Sequence, residues 1–98
     1  MNYVKQLADD IYGAVHGGPM PDGERPLYLF YAALALAVGT SATPEHVHDA
    51  WSAWACLRHG EHPCLRPFGE LTPDVRERDE PYATAIRIVM ARRGRMSS

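Results

Sequence analysis

The residues that could do chemistry gather in the second half of the chain. Cys56, His59, His62 and Cys64 form a C-x2-H-x2-H-x-C pattern, a set of nitrogen and sulfur ligands of the kind zinc accepts. Its spacing matches no standard zinc module, and the chain would have to fold back tightly to close it. A small thiol at Cys64 filling the core beneath a His62-Pro63 turn explains the same residues. No metal or cofactor is expected, and a Cys56–Cys64 disulfide is disfavoured in a reducing compartment. His62-Pro63 reads first as a loop pin, an imidazole hydrogen-bonded to backbone, and second as a ligand contact.

Trp51 and Trp54 lie three apart, with Arg58 one turn further on. At helical spacing they form either core packing or an aromatic platform for a nucleobase, with a guanidinium within reach of a phosphate. Arg66, Arg78 and Tyr82 are the candidates to complete such a pocket, and His62 would stand at its rim. Arg76 and Arg78 among Glu77, Asp79 and Glu80 otherwise read as a solvated run. Catalysis finds little support. Ser41, Ser52, Ser97 and Ser98 sit in no nucleophile-elbow pattern and show no nearby His-Asp logic. Cys56 near His59 lacks an oxyanion hole and an orienting third group. The expectation is therefore a binding protein and not an enzyme.

The elements that must position these residues read as helices throughout. Val4, Leu7, Ala8, Ile11, Ala14 and Val15 recur on one helical face, with Asn2 as N-cap and Gly17-Gly18-Pro19 as the stop. Gly17 to Arg25 reads as an exposed, mobile loop. A second helix starts near Pro26 and is apolar on almost every face from Leu27 to Val38, which predicts a central helix covered on several sides. Thr43-Pro44-Glu45 opens a third helix carrying Val47, Ala50, Trp51, Trp54, Ala55 and Leu57 and ending near Gly60. His59 to Leu71 is irregular. Thr72-Pro73-Asp74 opens a short helix, and Asp79 caps the last one, which carries Tyr82, Ala85, Ile86, Val89 and Met90. No segment alternates with period two, so the prediction is an all-α, compact single domain of four to five helices with little or no strand. Helices 2–16 and 26–38 complete its core.

Composition bounds the function. The chain has 98 residues, 46% apolar and 22% charged, which is one domain's worth. A formal charge of -2 argues against a general nucleic-acid binder. The longest apolar stretch is too short for a bilayer, and Asp9 and Asp10 interrupt any signal-peptide pattern, so a cytoplasmic protein is expected. Residues 1–50 hold two basic and six acidic groups, and residues 51–98 hold eight basic and six acidic ones. With a nearly all-apolar helix in so small a domain, this asymmetry favours a homodimer.

The stretch from His46 to Met90 resembles the ryanodine-receptor repeat (RyR domain). The matching residues are Val47-His48-Asp49-Ala50-Trp51, then His62-Pro63-Cys64-Leu65-Arg66-Pro67-Phe68-Gly69-Glu70-Leu71, then Arg78-Asp79-Glu80-Pro81-Tyr82. The family's hairpin insert between the Trp helix and the His-Pro turn is missing, since only Arg58 to Glu61 bridge that gap. The repeat-like portion spans about 44–93. The whole chain is also similar to small accessory proteins of actinobacteria and their phages, which suits its nine Arg to one Lys. The resemblance implies a non-enzymatic binding domain that senses or sequesters a nucleotide-derived ligand. The alternative it implies is a protein-interaction module, such as a phage accessory protein that binds a host protein in the host cytoplasm.

Overall fold

The computed structural model describes residues 2–59 and 65–96. Five helices follow in order: α1 (Tyr3–His16), α2 (Arg25–Val38), α3 (Pro44–His59), α4 (Pro73–Glu77) and α5 (Glu80–Met96). Three 3₁₀ turns, Asp22–Glu24, Gly39–Ser41 and Phe68–Glu70, punctuate the connections, and no strand occurs among the described residues. The all-α prediction holds.

The helix ends are set by the residues that cap them. The Asn2 side chain accepts from the Lys5 N–H at 2.8 Å, satisfying one of the donors that an N-terminus leaves orphaned. At α3, Thr43 and His46 cap each other. The His46 N–H donates to the Thr43 hydroxyl at 3.2 Å, and the Thr43 N–H donates to His46 Nδ1 at 3.1 Å. That is a capping box with imidazole in place of the usual carboxylate. Gly17 ends α1 at φ 77°, with its N–H on the Gly13 carbonyl at 2.8 Å. Gly39 ends α2 at φ 58° and ψ -130°, a conformation open in practice only to glycine. Pro81 lies in the first turn of α5, where its missing N–H is not needed.

α2 is the centre of the packing and touches α1, α3 and α5. Tyr28, Tyr31, Ala32 and Ala35 form its buried stripe. Against them pack Leu7, Ala8 and Ile11 of α1, Val47 of α3, and Ala83, Ile86 and Val89 of α5. α2 is covered on several sides, as expected, and the three neighbours leave Ala33, Leu36 and Ala37 at the solvent. The Gly17–Glu24 connection is exposed apart from a half-buried Met20, as its Gly and Pro content predicts. Arg87 closes the far end. Its guanidinium donates to the Ala42 carbonyl at 2.8 Å and to Glu80 at 2.9 Å, tying α5 to the α2–α3 connection.

Candidate functional site

A cavity of about 560 Å³ opens where the end of α1, the first half of α2, α3, α4 and the start of α5 meet. Its apolar walls come from Val15, Leu27, Val75 and Pro81, and its rings from Tyr31, Trp51 and Tyr82. His48, Arg78 and Asp79 supply the charged and polar groups. The volume lies in the range of small-molecule sites, and an apolar lining with few polar groups is their usual composition.

Three elements aim these groups. On α2, Leu27 and Tyr31 are one turn apart and face the same way. On α3, His48 and Trp51 are three apart, and their rings stack with centroids 5.9 Å apart. Arg78 and Asp79 form the tight turn between α4 and α5, which brings both residues to the cavity wall.

His48 is the organising residue, at 4% exposure. Its Nε2 lies 2.6 Å from the Arg66 carbonyl oxygen, which can only accept, so Nε2 carries a proton. This bond holds the Arg66–Leu71 stretch against α3, with Phe68 beside the imidazole at 6.1 Å. Nδ1 faces Asp79 Oδ2 at 3.9 Å. Ser52, on the next turn of α3, places its hydroxyl 3.4 Å from the same Nε2. Ser52, His48 and Asp79 thus stand in a row that the sequence reading of the serines missed. With Nε2 donating to Arg66, the imidazole has no lone pair there to take the Ser52 proton. Burial holds the Asp79 carboxyl above the usual carboxylate range, and His48 pulls the other way.

Tyr31 is 2% exposed and lines the cavity, yet its hydroxyl has no hydrogen-bond partner among the described residues. Burial first, and then Tyr82, Tyr28, Asp79 and Glu24, push this phenol well above its ordinary range, so it is a donor. Tyr31 belongs to a ladder of rings. Tyr12 lies 5.0 Å from Tyr28, Tyr28 lies 5.2 Å from Tyr31, and Tyr31 lies 5.6 Å from Tyr82. His16 Nε2 meets the Tyr28 hydroxyl at 3.0 Å.

Of the residues singled out from sequence, Trp51, Arg78 and Tyr82 share this cavity. Trp54, Arg58 and Arg66 do not line it, which corrects the expected constellation. Arg58 lies seven residues beyond Trp51, so it points the same way but roughly 10 Å further along α3. There its guanidinium sits over the Trp54 ring, 5.9 Å from the centroid. The Arg66 side chain is exposed, and its contribution is the main-chain carbonyl that His48 holds. His62, with Pro63 and Cys64, lies outside the described residues. Cys56 is exposed on α3, and no group of three His, Cys, Asp or Glu suited to a metal occurs among the described residues. No helix among them is long and apolar enough to cross a membrane.

A family model described as a domain of unknown function (DUF7701) matches residues 2–91, and the chain belongs to that family. No curated protein and no solved structure matches the chain. The match overturns the resemblance to the ryanodine-receptor repeat, since no model of that repeat is matched. The match runs from α1 into α5. The residues that carried the resemblance have a local reason. His48, Trp51 and Phe68 pack as one cluster that clips an irregular stretch to a helix, and Asp79 faces the same imidazole.

Proposed function

We propose that this member of the DUF7701 family is a non-enzymatic ligand-binding domain acting in the cytoplasm. Its cavity takes a small molecule that combines a flat ring with an anionic group, of the nucleotide-derived kind, which the domain senses or sequesters. The observation that carries the reading is the cavity itself: about 560 Å³, walled by Tyr31, Trp51 and Tyr82, with the Arg78 guanidinium on its wall. Arg78 is exposed and makes no ion pair among the described residues, so its charge is available to a phosphate. The aromatic faces supply area and stacking for the ring.

A thermal-shift screen against nucleoside phosphates, cyclic nucleotides and ADP-ribose derivatives tests this. A ligand that binds only the folded state raises the melting temperature with dose. One nucleotide class is expected to do so in the native chain and to lose most of the effect in Arg78→Ala. A flat response across the panel would rule the reading out.

A protein-interaction module is the second reading, such as an accessory protein that occupies a host target, phage-encoded or bacterial. It is favoured by exposed apolar side chains, with Leu57 80% exposed and Leu36 and Ile88 each 43%. Its simplest form is a homodimer that covers Ala33, Leu36 and Ala37 of α2. Light scattering that returns a monomer mass at high micromolar concentration would exclude that form.

A further inference from the structure

We infer that the cavity selects a ring bearing an amino group beside an unprotonated ring nitrogen, the edge shared by adenine and cytosine and lost when either is deaminated. The inference rests on the ligand-binding reading above and specifies which ring the site takes and which way round it lies.

Two polar groups on the cavity wall carry it. Tyr31 is 2% exposed and lines the cavity, its hydroxyl bonds to none of the described residues, and that oxygen is not among the buried side-chain atoms left unpaired, so it opens to the cavity. A hydroxyl that gives up water when a ligand covers it needs an acceptor in its place, so this donor favours a ring that supplies one. Asp79 lines the same cavity with its side chain only 17% exposed. Its sole charged partner among the described residues is His48 at 3.9 Å, longer than a hydrogen bond, so the carboxylate retains acceptor capacity. One donor and one acceptor on a shared wall complement a ring nitrogen that accepts and an adjacent amino group that donates.

The electrostatics point the same way. The negative charges of Asp79 and Glu24 both act on the Tyr31 and Tyr82 hydroxyls. A carbonyl oxygen placed at that end would meet negative potential, whereas an amino group is stabilised there. A phosphate is excluded from it and is left to Arg78. The ring therefore enters first, between Trp51 and Tyr82, and the anionic group stays on the Arg78 side.

Isothermal titration of two matched pairs tests this: AMP against IMP, and CMP against UMP. Each pair differs by exchange of an amino group and ring nitrogen for a carbonyl and N–H, with almost no change in shape. The amino member of at least one pair is expected to bind at least about tenfold tighter than its partner, the loss typical when a buried donor and acceptor are mismatched. Tyr31→Phe and Asp79→Asn should each narrow that gap, and Arg78→Ala should weaken both members alike and leave it intact. Should Tyr31→Phe fail to fold, Asp79→Asn decides alone. A gap below tenfold in both pairs, or one that neither substitution narrows, overturns the inference while the ligand-binding reading stands. If none of the four nucleotides binds the native chain, the inference falls, and the wider panel then decides the reading beneath it.

Discussion

Replacing His48 by Ala should show how much of the fold hangs on one imidazole. The side chain is almost fully enclosed, so its removal leaves a gap against Trp51 and Phe68. Lost packing of that kind amounts to about 1–2 kcal/mol for a side chain of this size. The 2.6 Å bond to the Arg66 carbonyl goes as well, about 1 kcal/mol net, because the exposed Arg66 can be rehydrated. The sum is about 2–3 kcal/mol. In a domain of this length each kcal/mol moves the melting temperature by about 4–8 °C, so His48→Ala should melt about 10–20 °C lower. His48→Gln keeps an N–H at the reach of Nε2 and should recover about a third of the loss. Thermal unfolding followed by circular dichroism reads both variants. Hydrogen exchange reads the linker, where the Glu70 and Leu71 amides bond to Pro67 and Phe68 and should lose protection. A His48→Ala chain melting within about 3 °C of the parent would refute the reasoning, as would a Gln variant no better than Ala.

Two glycines should respond in opposite senses. Gly39→Ala forces a side chain into φ 58°, ψ -130° and should cost about 1–3 kcal/mol although its surroundings are open. Gly13→Ala, inside α1 with nothing within 4 Å, should gain about 0.5–1 kcal/mol; equal effects in denaturant melts would contradict the backbone assignment. Asp79→Asn should melt higher than the parent at neutral pH. Burial raises the folded pKa of Asp79, so its ionisation opposes folding above that value, and the advantage of Asn should fade as pH falls through it. A variant–parent difference that does not change with pH would refute this. Arg87→Met should lose about 1 kcal/mol through the Ala42 carbonyl contact, read as a lower denaturant midpoint.

Much of the fold was legible because its signals are local. Asn2, Thr43 and Thr72 cap the helices they were expected to cap, and Gly17 and Gly39 end the helices they follow. Strand was excluded by periodicity alone. The exposure of Ala33, Leu36 and Ala37 was not legible, because an all-apolar helix does not reveal how many neighbours it has. The cavity was legible only in part. Trp51, Arg78 and Tyr82 were found by residue type, but Tyr31 and His48 sit at core-like positions on helical faces. Only tertiary packing reveals that one phenol lacks a partner and one imidazole holds a distant carbonyl. Asp79 stands at the start of α5 as expected, with its carbonyl accepting from the Ala83 N–H, but its approach to His48 comes from tertiary packing. Arg58 lies outside the cavity for a related reason, since helical periodicity gives direction but not how far along the axis a cavity extends.

The ladder of tyrosines gives the protein an alkaline ceiling. Tyr28, Tyr31 and Tyr82 are all held neutral by burial beyond the ordinary phenol range. In the unfolded chain each ionises near its ordinary value of 10.0, so there the unfolded state releases protons that the folded state keeps. Stability from these three rings is intact below that pH and drains away above it, and the three losses add. Base should therefore open the α1–α2–α5 seam cooperatively. The rise in phenolate absorbance would then coincide with loss of helix, where exposed tyrosines would titrate smoothly ahead of it.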